Sequence, residues 1–256
     1  MTGTDRALEG EVALVTGGNA GIGLGMARGL AEAGADVCIW GRRRDRNDAA
    51  VEALTGFGVR VFAVQCDVSD EGQVVLAFTE TVERFGKVDS CFANAGVAPG
   101  FVPFVDLELD RWRRSMAVNL DGAMLTLREA ARHMVERGEG GSLVAVSSTS
   151  VMHGAPNNES YSVAKTGLVA LTRGLAVELA RYAIRVNALL PGWTDTDMLA
   201  FGRENEKFRN ATISRTPARR WAEPAEFGRI AAFLARRDLT FHTGDELVVD
   251  GGYTKS

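Results

Sequence analysis

Val12-Ala13-Leu14-Val15-Thr16-Gly17-Gly18-Asn19-Ala20-Gly21-Ile22-Gly23 runs from a short apolar stretch through a glycine-rich turn into a helical pattern. Glycines let a backbone turn tightly and come close to a pyrophosphate. The helix that follows offers unpaired N–H groups and the positive end of its dipole. A glycine cluster alone would read as a tight turn. Strand before, helix after and a place near the start of the chain make it the phosphate-binding turn of a dinucleotide fold.

The same alternation continues outward to the end of the chain. β-Branched or apolar runs at 12–16, 36–40, 59–64, 88–93, 142–147, 184–190 and 246–249 read as strands. Helical patterns fall between them, for example at 23–33, 70–85, 110–136, 160–182 and 224–236. Strands apolar throughout, not alternately, predict a sheet covered on both faces. The expected fold class is therefore α/β, a three-layer doubly wound Rossmann arrangement with a single, mostly parallel seven-stranded sheet. No linker or repeat interrupts it, so residues 1–256 are expected to form one dinucleotide-binding and catalytic domain. Ligands of such sheets sit at the carboxyl ends of the strands. The polar segment 197–220, with Gly202, Asn205, Asn210 and Pro217, is expected to form a helical cover over that crevice.

Bulk properties exclude several classes. The chain has 46% hydrophobic and 24% charged residues and a formal net charge of -4. Arg42-Arg43-Arg44 is its one short basic run, which argues against a nucleic-acid partner. Cys38, Cys66 and Cys91 form no C-x-x-C pair, reading as buried reduced thiols and no metal site. Met1 to Glu11 is polar, with no signal-peptide core, and no apolar run is long enough to span a bilayer. A cytoplasmic protein without a membrane partner is expected.

Tyr161-Ser-Val-Ala-Lys165 places a phenol and an ammonium four apart in a helical pattern, on one helix face. A free phenol has a pKa of about 10, roughly three units too high for a base at neutral pH. A neighbouring ammonium favours the phenolate and brings it toward working pH. Asn119, in Met-Ala-Val-Asn-Leu, is a poor interior helix former beside two apolar neighbours, so it needs a reason to be there.

Thr16-Gly-x-x-x-Gly-x-Gly, Asn94-Ala95-Gly96, Asn119, the Ser148/Tyr161/Lys165 set and Pro191-Gly192 stand in the order of the short-chain dehydrogenase/reductase family, which the sequence resembles over nearly its whole length. The resemblance implies hydride transfer between a nicotinamide and a small carbonyl or alcohol. Tyr161 would be the acid/base, Ser148 (in preference to its neighbour Ser147) would orient the substrate oxygen, and Lys165 would hold the nicotinamide ribose. Asn119 would anchor a water that relays protons to the lysine. It further implies that Gly17, Asn19, Gly21, Ile22 and Gly23 meet the pyrophosphate, Asp67 and Val68 the adenine, and Asn94, Ala95 and Gly96 the cofactor's flank. Pro191, Gly192, Thr194 and Thr196 would fix the nicotinamide amide.

Where NAD-specific enzymes end the second strand with an acid, this chain has Gly41, then Arg42 and Arg43. Guanidinium groups bind a 2′-phosphate bidentately, which favours NADP(H), with NAD(H) as the alternative. Ala20, where many NADP-using relatives are basic, cuts the other way. Arg44 and Arg46 read as the solvated start of the next helix.

Ser150, Met152, His153 and Trp193 are expected in the substrate pocket, with Ala98, Pro99 and residues 198–213 around them. Relatives of this layout include 3-oxoacyl thioester reductases, sugar or polyol dehydrogenases and ketone reductases. Glu139 and Tyr182, where acyl-carrier enzymes carry basic residues, disfavour the first. An NADPH-dependent ketone or 3-oxo reductase is the expected function, against an NAD-dependent sugar/polyol dehydrogenase or a catalytically silent NADP-binding sensor. Leu168, Val169, Leu171, Leu175, Ala176, Val177 and Leu179 make one helix apolar nearly all round, predicting a subunit interface and a homotetramer.

Overall fold

The computed structural model describes residues 6–256; Met1 to Asp5, part of the polar N-terminal stretch, lie outside the described residues. The strands are β1 (Val12–Thr16), β2 (Asp36–Gly41), β3 (Val61–Gln65), β4 (Ser90–Ala93), β5 (Gly141–Val146), β6 (Ile184–Pro191) and β7 (Glu246–Val249). They form one seven-stranded sheet in the order β3-β2-β1-β4-β5-β6-β7. Every pairing in it is parallel, where a mostly parallel sheet was expected. The expected strand at 88–93 begins only at Ser90, because Val88 N–H donates to His133 Nε2 at 3.2 Å instead of to a neighbouring strand.

Parallel strands need crossovers, and helices supply them on both faces. In chain order they are α1 (Gly21–Glu32), α2 (Arg44–Thr55), α3 (Glu71–Phe85), α4 (Leu109–Met116), α5 (Gly122–Arg137), α6 (Glu159–Leu179), α7 (Ala200–Glu204), α8 (Glu206–Arg215) and α9 (Phe227–Ala235). Ala13 and Val15 of β1 face Met26 and Leu30 of α1 and Phe227 of α9. Leu14 between them joins the opposite core with Phe78 of α3, Leu127 of α5 and Leu168 of α6. Each strand thus feeds two cores by simple alternation, which is why it is apolar at every position.

Two helices differ from expectation. The pattern at 110–136 is not one regular helix: α4 and α5 are joined by a π-helical turn, Ala117–Asp121, containing Asn119. On α6, Leu168, Val169, Ala176 and Leu179 are buried within this chain and Leu171 and Leu175 pack partly against the core. Val177 alone of the residues named above stands outward, at 83% exposure. The segment 197–220 does form helices, a 3-10 turn Asp197–Leu199 followed by α7 and α8. Among the described residues no helix is long and apolar enough to cross a membrane, and no group of three or more His, Cys, Asp or Glu side chains could hold a metal. The three cysteines are buried and free; burial pushes the Cys38 and Cys66 thiols up to about 12 and Cys91 further in the same direction.

Candidate active site

The carboxyl ends of β1 and β4 are tied to each other. Thr16 Oγ1 accepts from the N–H groups of Asn94 and Ala95, both at 3.0 Å, and Asn94 Nδ2 donates to Thr16 O at 2.9 Å. Thr16 was read only as part of the turn; its bond across the sheet is visible only once β1 and β4 are neighbours. Gly17 and Gly21 have φ of +65° and +51°, which L side chains rarely adopt. A Cβ on Gly23 would overlap Gly17 O and Asn94 Nδ2, so the start of α1 lies directly on the turn. No side chain caps α1 at Ala20, and its first turn carries no acid. Its first N–H groups and its positive dipole are left for an anion, and a pyrophosphate fits that cradle.

Tyr161 and Lys165 lie one turn apart on α6, as the spacing predicted. Lys165 is 3% exposed; its Nζ donates to Val146 O at 2.8 Å and lies 5.6 Å from the Tyr161 ring centroid. Burial brings the ammonium down to about 8. The phenol moves the other way: burial raises it above its ordinary value, and the Ser148 hydroxyl beside it offsets part of the rise. The phenol therefore holds its proton at neutral pH, in the form of an acid. The expected downward pull from Lys165 is not among the causes.

Ser147 and Ser148 separate cleanly. Ser147 Oγ donates to Lys165 O at 2.9 Å, joining β5 to α6. Ser148 Oγ accepts from Ser150 N–H at 3.1 Å and is the hydroxyl that meets the phenol.

Asn119 is fully buried. Its Oδ1 accepts from Val97 N–H at 3.0 Å, and its Nδ2 donates to Val97 O at 3.1 Å and Ser115 Oγ at 3.3 Å. A Cβ on Gly96 would stand 2.9 Å from Asn119 Oδ1 and 3.7 Å from Lys165 Nζ. Gly96 is thus the gap between amide and ammonium, and β4, the π-helical turn and α6 meet there.

At the far end of the crevice, a Cβ on Gly41 would overlap both Asn19 Nδ2 and Asn47 Oδ1, which are bonded to each other at 2.6 Å. An acid at position 41 has no room. Arg42 Nη1 lies 3.7 Å from Asp67 Oδ2, whereas exposed Arg43 has no ion pair among the described residues. Asp67 Oδ1 also accepts from Ser69 N–H at 3.0 Å and Ser69 Oγ at 2.7 Å. It does not cap α3; Asp70 does, through Gln73 N–H. Val68 is buried against Gly122. Arg46 is not merely solvated, since it pairs with Asp197 of the 197–220 segment at 2.9 Å.

Beyond Pro191, Gly192 N–H donates to Val249 O at 2.9 Å. Thr194 is buried and its hydroxyl donates to Gly192 O at 3.0 Å, which braces the loop after β6. Thr196 does reach the phosphate turn, since a Cβ on Gly21 would stand 3.1 Å from Thr196 Cγ2. Ile22, in the first turn of α1, packs partly against the core. His153 is half-buried with its ring 5.5 Å from Tyr253, Met152 is exposed, and Trp193 lies 5.1 Å from Phe208. Phe101, Phe201, Phe208 and Tyr253 complete this aromatic group. Phe201 and Phe208 fall within the expected 198–213 surround, whereas Phe101 and Tyr253 were not expected there.

The chain is similar to known oxidoreductases over nearly its whole length. The sequence family described as Enoyl-(Acyl carrier protein) reductase matches residues 17–254. The chain is 41% identical to cis-4-hydroxycyclohexanecarboxylate dehydrogenase of Sinomonas cyclohexanicum over 95% of its length and 96% of the relative's. It is 36% identical to the 3-oxoacyl-acyl-carrier-protein reductase of Chlamydia pneumoniae, covering 98% of this chain and 99% of that one. Among solved structures it is similar to a gluconate 5-dehydrogenase from Burkholderia cenocepacia in complex with NADP and tartrate, with a TM-score of 0.93, 35% identity and 99% of each chain covered.

Proposed function

The chain belongs to the short-chain dehydrogenase/reductase family of oxidoreductases acting on CH–OH and C=O groups, and we propose that it is an NADPH-dependent ketone reductase working through Ser148, Tyr161, Lys165 and Asn119. The observation that carries this reading is the meeting of four separate segments at one point: Tyr161 with Ser148, and Lys165 with Asn119 across Gly96. A silent nucleotide sensor would have no use for that arrangement.

The nicotinamide, when bound, supplies or takes the hydride. Tyr161 holds the proton that passes to the carbonyl oxygen in reduction, and burial keeps the phenol protonated at neutral pH until the transfer. Ser148 donates a hydrogen bond to the same oxygen. Lys165, charged below about pH 8, stabilises the phenolate left behind. Asn119, bound on both sides to Val97, holds the far side of the gap through which the phenol is reprotonated. The reverse sequence oxidises an alcohol.

NADPH is favoured over NADH because Asn19 and Asn47 fill the space an acid would need, while Arg43 is free to meet a 2′-phosphate. Gly17, Gly21 and Gly23 would hold the pyrophosphate, and Asp67 and Val68 the adenine. A ketone fits better than an acyl-carrier substrate, since Glu139 is paired with Arg137 at 3.4 Å where a carrier would need a basic group. We read the chain as a single domain with 197–220 as its cover. A homotetramer is supported by outward Val163 and Val177 on α6 and fully exposed Phe241 before β7. Free buried thiols suit the cytoplasm.

Titration of NADPH and NADH against tryptophan fluorescence tests the cofactor reading. NADPH is expected to bind about tenfold or more tightly, as a bidentate guanidinium–phosphate pair would give. Equal affinities would return the reading to the NAD-dependent polyol dehydrogenase.

A further inference from the structure

Four rings from three segments gather past the carboxyl ends of β4 and β6. Trp193, just past β6, lies edge-on to Phe208 of α8. Phe208 meets Phe201 of α7 at 5.3 Å, and Phe101, from the loop after β4, closes the set 4.9 Å from Phe201. Thr149 Oγ1 donates to Pro191 O at 3.3 Å, which locks the loop after Ser148 alongside the one leading to Trp193. Phe101 and Phe201 are 47% and 37% exposed, so part of their apolar surface is not used in packing. Free apolar surface beside a reacting centre marks an apolar ligand.

Several polar side chains nearby are already committed. Asn205 caps α8 through Phe208 N–H at 3.0 Å. Thr212 accepts from Trp221 Nε1 at 2.9 Å, and Arg203 is paired with Asp195. Among the described residues, the Ser150 hydroxyl, buried without a partner, and Arg111, whose guanidinium would stand 3.8 Å from a Cβ on Gly100, remain without a hydrogen bond or ion pair, while His153 Nδ1 lies 3.2 Å from Gly154 O. A polyhydroxylated substrate needs a partner for every hydroxyl taken out of water, and a wall of four aromatic rings supplies none.

Resting on the reductase reading above, we infer that the substrate is an alicyclic ring ketone (or, in reverse, the ring alcohol), and not an open-chain polyhydroxy ketone. The ring body lies against Trp193, Phe208, Phe201 and Phe101, and its one oxygen reaches Tyr161 and Ser148. Edge-to-face aromatic walls present faces to ring C–H groups, and a rigid ring has little conformational freedom to lose.

Calorimetric binding to the Tyr161→Phe enzyme with NADPH present tests this without turnover, using cyclohexanone and erythrulose as probes. Cyclohexanone is expected to bind about tenfold or more tightly, with a negative heat-capacity change. Phe208→Ala is expected to weaken cyclohexanone about tenfold and leave erythrulose unchanged. Phe101→Ser, on an exposed loop, repeats the test if Phe208→Ala fails to fold. Erythrulose binding as tightly as cyclohexanone, or both weakening alike, overturns the inference. Wild-type turnover separates the two readings. Cyclohexanone bound but reduced with neither cofactor overturns the reductase and supports the ring site. Erythrulose reduced while cyclohexanone does not bind overturns the ring site and supports the reductase.

Discussion

Lys165 carries an ammonium that is buried with one carbonyl as its hydrogen-bond partner, and the fold is destabilised by holding it there. Its folded pKa of about 8 lies below the ordinary 10.5, so between those values the unfolded chain binds more protons and stability rises with pH. Wild type should therefore gain stability relative to Lys165→Met as pH climbs from 8 to 10.5, by roughly 3 kcal/mol from the size of the shift. Urea unfolding of both proteins at several pH values checks it; parallel curves would mean the ammonium is not held at a depressed pKa. Tyr161→Phe removes only the proton donor. It should keep NADPH affinity and lose turnover by a factor of about 10² to 10⁴. Stopped-flow reduction together with cofactor titration distinguishes that from a folding defect. The Tyr-x-x-x-Lys spacing made this pair legible in the sequence. The choice of Ser148 over Ser147 rested there on family resemblance. Its physical reason, that Ser147 spends its hydroxyl on the Lys165 carbonyl, is a contact between residues 18 apart in sequence.

At the scale of elements, glycines mark where backbones touch. A Cβ on Gly29 of α1 would overlap the backbone of Gly228 on α9, so these helices cross at glycine-to-glycine distance. Alanine ordinarily favours a helix over glycine by about 1 kcal/mol, yet here the added methyl must force α1 from α9. Gly29→Ala is expected to destabilise by about 1–3 kcal/mol, the range for overpacking. A rise in the urea midpoint would show that the crossing has slack. The π-helical turn is the element that the helical period could not reveal. One extra residue at 117–121 lets Asn119 turn inward to Val97, and period counting absorbs a single inserted residue without trace.

Across the whole molecule, the crevice is backed by an electrostatic anchor at the opposite end of the sheet. Asp89 is buried, accepts from Val12 N–H at 2.8 Å, and pairs with Lys87 and Arg137, both at 2.9 Å. Burial pushes its carboxyl up, but the hydrogen bonds from Lys87 and Val12 and the Arg137 charge outweigh that and hold it below the usual carboxylate range. A carboxylate held low stabilises the fold above the unfolded pKa, and that contribution is lost as pH falls through the folded value. Asp89→Ala, which leaves Lys87 without an ion pair and Arg137 with only Glu139, should cost about 3–5 kcal/mol at neutral pH. The gap between mutant and wild type should narrow as pH falls below about 4, where the unfolded carboxyl titrates. A constant gap down to pH 2 would remove Asp89 from the account.

Local chemistry was enough for the alternation of strands and helices, the phosphate-binding turn and the Tyr161/Lys165 pair. Each depends on residues within a turn or two of one another, where hydrophobic period, glycine conformation and helix spacing act. Partnership across distance was left to the tertiary structure. It decided that Asn19 and Asn47 exclude an acid from position 41, that Arg46 reaches Asp197, and that the Thr194 hydroxyl bonds Gly192 O. It also decided that Trp193, Phe208, Phe201 and Phe101 share one wall. Those contacts exist only after the sheet order has brought distant segments together, and no periodicity in a single chain encodes which partner a side chain will meet.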